Sequence, residues 1–114
     1  MIFTPQDYKR ELRHEMRGGK GDVIYDELIP GAIPPNGRVF AKLTLTPGTS
    51  IGKHTHEGET ELYTFVEGTG VAMDDDIPIK VKPGFVMVTP SGHAHAVEND
   101  GDEDLVFYAC IITG

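Results

Sequence analysis

Tryptophan is absent from this sequence, cysteine occurs once, and no apolar run approaches the roughly 20 residues that cross a bilayer as a helix. A single cysteine cannot form an internal disulfide, so nothing points to an oxidising compartment. Cys110 lies in the apolar run Tyr108-Ala109-Cys110-Ile111-Ile112, where a small buried hydrophobe is expected rather than a nucleophile. Positive charge is also scarce. Ten Lys and Arg stand against 18 Asp and Glu, a formal net charge of −8. Phosphate binding needs a basic face, so nucleic acid and anionic membrane are excluded as expected partners. The segment Met1-Ile2-Phe3-Thr4-Pro5-Gln6-Asp7 has no basic stretch leading into an apolar one. No signal peptide is expected, and a cytoplasmic location follows.

Turn formers are what the sequence has in quantity. Fourteen Gly and eight Pro are spread in clusters along 114 residues, a length that suits one domain over 1–114. Short strands between turns are therefore expected, in an all-β sandwich or barrel. Val39, Ala41, Leu43 and Leu45 alternate with Arg38, Lys42 and Thr44, the period of a half-buried strand. Strand-like runs follow near 51–56, 61–67, 70–74, 77–82, 85–89, 94–99 and 104–112. Upstream, Val23–Ile29 reads as a strand, and residues 4–14 as the single helix. Thr4 would cap that helix, Pro5 suits its first turn, and Asp7 its dipole. The barrel core is expected over about 38–112, with 1–37 as an N-terminal extension.

Histidine is sparse, five residues, yet four fall in two pairs, His54-Thr55-His56 and His93-Ala94-His95. On a strand, i and i+2 share a face, so both imidazoles of a pair can meet one ion. Imidazole is a ligand of choice for divalent transition metals. Glu57, Glu59 and Glu61 follow the first pair as candidate carboxylates. Glu61 opens the next strand, and a hairpin returns it beside the His pair. Parity then sets Glu61, Tyr63 and Phe65 on one face, where the rings could wall a pocket. In the second segment, an inward His95 takes Val97 and Asn99 with it.

Residues 48–68 resemble the first cupin motif, G-x5-H-x-H-x4-E-x6-G, through Gly48, His54, His56, Glu61 and Gly68. Residues 84–99 resemble the second, G-x5-P-x-G-x2-H-x3-N, through Gly84, Pro90, Gly92, His95 and Asn99. Every fixed position is filled, with 15 residues between the motifs. The resemblance implies a double-stranded β-helix barrel of jelly-roll type. It implies metal ligation by His54, His56, Glu61 and His95, and it leaves His93 at a variable position facing the rim or solvent. The flanking Arg-Gly-Gly, Ser-Ile-Gly and Glu-Gly-Glu-Thr-Glu resemble small bacterial cupins described as oxalate-decarboxylase-like or sugar-phosphate-isomerase-like.

Such a ligand set implies one divalent transition metal ion, Mn, Fe, Ni or Zn, with coordination positions left open for a small carboxylate or polyol. The chain departs from two-cupin oxalate decarboxylases at Ile51, where those enzymes carry the Arg that holds substrate, and no lid with a catalytic Glu is visible. Two readings follow: a metal-dependent lyase, isomerase or dioxygenase, or a binding module without turnover. Arg38 is expected at the barrel mouth, where it could neutralise an anionic ligand. Lys53 should point away from the metal. Nothing places His14 or Arg17 near it. A homodimer is expected through exposed sheet edges near Val23–Ile29 or Leu105–Ile112.

Overall fold

The computed structural model describes residues 1–114. Ten strands follow in chain order: β1 (Lys9–His14), β2 (Asp22–Glu27), β3 (Gly37–Leu45), β4 (Ser50–Thr55), β5 (Glu59–Glu67), β6 (Gly70–Asp74), β7 (Ile77–Val81), β8 (Val86–Thr89), β9 (Ala94–Glu98) and β10 (Leu105–Thr113). They form a six-stranded sheet, β1-β2-β3-β10-β5-β8, and a four-stranded sheet, β4-β9-β6-β7. Every pairing is antiparallel. No helix is long and apolar enough to cross a membrane.

The alternating strands bury one face each, and the two buried faces meet. Leu43, Leu45, Phe65, Leu105 and Phe107 from the larger sheet pack with Ile51, Ala72, Val81 and Val97 from the smaller. Phe65 and Phe107 sit with ring centroids 5.1 Å apart at the centre. β2 lies upstream of residue 38 and still gives Val23 and Tyr25 to this core. The residues of the opposite parity face out, which leaves Phe40 40% exposed and Cys110 only half-buried on β10.

Residues 4–14 are not a helix. Thr4 starts a single 3₁₀ turn over Pro5–Asp7, with its amide donating to Asp7 Oδ2 at 2.7 Å, and the chain then extends into β1. The helix signals are local to residues 4–7. Lys9–His14 has no apolar stripe to bury as a helix, whereas β2 offers it a ladder and opposite charges. Arg10 pairs with Asp26 at 2.8 Å and His14 with Asp22 at 2.7 Å.

The edges suggested for a dimer are also different. β10 lies between β3 and β5, and β2 between β1 and β3, so neither has a free edge. The strands that end the sheets are β1, β8, β4 and β7.

Candidate metal centre

β4 and β9 are neighbours, and their register sets His54 directly opposite His95. Simple alternation along β4 would prevent this, because Ile51 is buried and His54 lies an odd three positions later. The register resolves the conflict: Ile51 opposes Val97 while His54 opposes His95, so β4 carries one residue more than β9 across the interval. That irregularity, at Gly52-Lys53, turns the strand so that Ile51 and His54 both face inward. Lys53 is exposed and ion-paired with Asp76, away from the cluster. His56 follows β4 directly, and its amide donates to the His93 carbonyl at 3.1 Å. Glu61 reaches the same point from β5 in the opposite sheet.

The four side chains converge. His56 Nε2 lies 3.0 Å from His95 Nε2 and 2.9 Å from Glu61 Oε1. His95 Nε2 lies 3.2 Å from His54 Nε2 and 3.0 Å from Glu61 Oε1. One donor atom from each of the four residues falls within 4.8 Å of the rest, and the group could hold a metal ion. His56, Glu61 and His95 are buried, and His54 is half-buried.

The outer ring atoms fix what the inner ones present. His54 Nδ1 is 2.8 Å from the Gly52 carbonyl, which can only accept, so Nδ1 carries the hydrogen. His56 Nδ1 is 2.9 Å from Glu59 Oε1, and the carboxylate imposes the same tautomer. The inner Nε2 atoms of both rings are therefore bare lone pairs. His95 Nδ1 is 2.8 Å from Thr89 Oγ1. A neutral His95 thus has at most one Nε2 proton to share among two imidazole lone pairs and a carboxylate. Such a donor set could hold a cation, and its supporting hydrogen bonds are already in place.

The surroundings favour those protonation states. Burial lowers the proton affinity of His54 below its ordinary value, outweighing the Gly52 carbonyl bond that raises it, and the charge of Arg17 adds to the lowering. Arg38 forks onto Glu59, with Nε 2.7 Å from Oε2 and Nη2 2.9 Å from Oε1. That pair holds the Glu59 carboxyl down to about 2. Tyr63 stacks on His95 with centroids 4.9 Å apart, and its hydroxyl lies 3.4 Å from His95 Nε2. Burial first, and then the Glu61 carboxylate, push the Tyr63 phenol well above its ordinary value, so it stays a neutral donor.

A cleft open to solvent leads to His54, His56, Glu61 and Tyr63. Arg13, Arg17 and Arg38 line it with Tyr25. Of the expected pocket residues, Arg38 and Tyr63 do line the cavity. Phe65, Val97 and Asn99 do not. Phe65 and Val97 are core residues, one against Phe107 and the other opposite Ile51. Asn99 is fully buried and locks a turn, donating to the Leu45 and Glu103 carbonyls at 2.7 Å each. Parity sent them inward as expected, but inward along β5 and β9 soon becomes the core. His93 is exposed and bonded to Asp75 at 2.8 Å.

Sequence reasoning missed two groups. Glu59 is one of the three candidate carboxylates, yet it stands outside the donor cluster and bonds His56 instead. Its position three residues after His56, across a turn, is the signal. Arg17 comes from the irregular stretch before β2, and no periodicity could have placed it.

Residues 41–111 match the family model described as a cupin domain. The chain is 41% identical over 113 residues to an oxalate-binding protein of Thermotoga maritima, covering 98% of this chain and 93% of that one. A crystal structure from Thermotoga maritima, described as a predicted oxalate decarboxylase, superposes with a TM-score of 0.95 at 40% identity over the whole of both chains. A putative sugar phosphate isomerase from Acidithiobacillus ferrooxidans shares the fold alone, at TM-score 0.79 and 20% identity over 99% of this chain and 75% of that one. By its sequence and by its jelly-roll fold, the chain belongs to the cupin family.

Proposed function

We propose that this protein holds one divalent transition metal ion, Mn, Fe, Ni or Zn, on His54, His56, Glu61 and His95, and binds a small carboxylate anion against it. The observation that carries the reading is the convergence of His54 and His56 lone pairs with His95 Nε2 and the Glu61 carboxylate at the inner end of an arginine-lined cavity. Three neutral imidazoles and one carboxylate leave a divalent ion with a net positive charge, which attracts an anion into a chain that is acidic overall. When bound, the ion supplies Lewis acidity toward a ligand's oxygen atoms. The protein's own groups orient the rings, donate from the Tyr63 phenol, and place guanidinium charge at the mouth. The oxalate-binding relative supports a carboxylate over a polyol, because a polyol has no charge for the arginines to meet.

Titration calorimetry with oxalate tests this reading. Binding is expected with metal-loaded protein and lost with chelated protein. Equal binding to both forms, or none to either, would sink it.

A second reading is a metal-dependent lyase, isomerase or dioxygenase, and it rests on the solvent-open side of the donor set. Beyond the donor residues, the titratable neutral groups in the cavity are Tyr25 and Tyr63, both pushed toward their protonated forms, chiefly by burial. That leaves no general base in place and favours binding without turnover. Sustained formate release from oxalate by the Mn form would reverse the preference. A homodimer belongs to the same reading. β8 ends its sheet with Val86 and Val88 68% and 52% exposed, and a second copy paired there across a two-fold would cover both edges. Sedimentation as a monomer at all concentrations would exclude it.

A further inference from the structure

Three guanidinium groups line the cavity, and two are already committed. Arg38 is forked onto Glu59. Arg13 bonds Glu11 Oε1 at 2.5 Å and lies 3.6 Å above the Tyr25 ring. Arg17 is exposed and has no carboxylate partner in a chain where Asp and Glu outnumber Lys and Arg by 18 to 10.

Its backbone makes that position unusual. Arg17 has φ 55 and ψ 30, a left-handed conformation that L side chains adopt at a cost, and the glycines that suit it stand next door at Gly18 and Gly19. The turn is nonetheless pinned. Gly18 and Gly19 amides donate to the Glu15 and Met16 carbonyls at 2.9 and 3.0 Å. The Lys20 amide donates to Ser50 Oγ at 2.9 Å, and the Ser50 amide donates back to the Lys20 carbonyl at 2.9 Å. A Cβ on Gly52 would meet the Arg17 carbonyl oxygen at 2.0 Å, and one on Gly19 would meet the Ser50 carbonyl at 2.1 Å. The backbone of Arg17 is thus pressed onto β4 beside the irregularity that aims His54. A cation without a carboxylate partner, on a residue whose backbone is pinned, thus lines a cavity that leads to the donor cluster.

We infer that Arg17 selects the ligand: it meets the second negative charge of a small dicarboxylate whose first carboxylate faces the metal. This rests on the carboxylate-binding reading above. The arginine then comes from the N-terminal segment rather than from β4, where Ile51 is buried in the core.

Oxalate and oxamate test this as a pair, since the two share a shape and oxamate replaces one carboxylate by an amide. Calorimetry on the metal-loaded full chain gives the oxalate-to-oxamate affinity ratio for wild type, Arg17→Gly and Arg17→Gln. Comparing ratios within each protein cancels general changes at the site. Wild type is expected to prefer oxalate, and both variants to lose about five- to tenfold of that preference, as for a partly exposed charge-assisted contact. Arg17→Gly should also melt no lower than wild type, because glycine suits the backbone there, and metal content should be unchanged. An unaltered ratio in both variants overturns the role of Arg17 while leaving carboxylate binding intact. Failure of wild type to bind either acid removes both readings together.

Discussion

His56 and Glu59 are joined by a 2.9 Å hydrogen bond across the turn between β4 and β5, and that bond decides which nitrogen of His56 faces the donor cluster. The bond is itself held from behind by Arg38, which forks onto the same carboxylate. A chain of exposed guanidinium, half-buried carboxylate and buried imidazole thus runs from the cavity mouth inward.

Breaking the middle of that chain should weaken metal binding without removing a ligand. Glu59→Ala leaves His56 free to rotate and to place its hydrogen on Nε2. Loss of a supporting hydrogen bond of this kind costs roughly 10–100-fold in metal affinity. Competition with a chromogenic chelator measures it. Glu59→Gln should fall between the two, since an amide oxygen still accepts but carries no charge.

Acid should loosen the metal-free protein in two stages. His54 has a folded value below its ordinary 6.5, because burial disfavours the imidazolium. Glu59 is held at about 2 against an ordinary 4.5, because Arg38 bonds its carboxylate. A depressed group stabilises the fold fully above its unfolded value and loses that contribution as pH falls toward the folded one. Melting temperature should therefore decline below about pH 6.5 as His54 is charged and again from 4.5 toward 2 as Glu59 is protonated. Arg38→Ala should shift the second stage upward, and carboxyl carbon shifts on NMR titration would follow Glu59 directly. A Glu59 titration unmoved by Arg38→Ala would contradict the assignment.

The irregularity in β4 should be sensitive to one methyl group. In Gly52→Ala the new Cβ would sit 2.0 Å from the Arg17 carbonyl oxygen and 3.0 Å from the Gly19 nitrogen, so backbone must move. Overpacking against backbone costs about 1–3 kcal/mol. Gly84→Ala is the control: its φ is +94 and its surroundings are open, so only the left-handed backbone resists, at roughly 1–2 kcal/mol. Denaturant melts measure both losses. Metal affinity separates them in kind, because only Gly52 lies beside His54.

Much of the centre was legible because strand parity is a strong signal. Glu61, Tyr63 and Phe65 share a face, as do His95, Val97 and Asn99, and all six are buried. Parity does not say where along an inward face the cavity ends and the core begins, so Phe65, Val97 and Asn99 point inward without lining the cavity. Parity alone also mishandles β4, where one extra residue lets Ile51 and His54 both face in. Arg17 and the β1 strand were out of reach for a different reason. Their conformations are set by what they pack on, Gly52 and β2, rather than by their own pattern.

The two members of the second histidine pair should separate cleanly on metal removal. His95 is buried with Nε2 in the donor cluster, while His93 is exposed and hydrogen-bonded to Asp75. An ion that binds only the folded chain stabilises it by about 2.7 kcal/mol when present at about 100 times its Kd. For a domain of this size that is a shift of about 10 °C in Tm. Wild type and His93→Ala should both lose this increment when a chelator is added, with similar midpoints before and after. His95→Ala should show little difference with and without chelator, because one of four donors is gone and the Thr89 hydroxyl has lost its partner. Scanning calorimetry on matched metal-loaded and chelated samples gives all six midpoints. A chelator response that survives His95→Ala, or vanishes in His93→Ala, would move the metal away from the buried cluster.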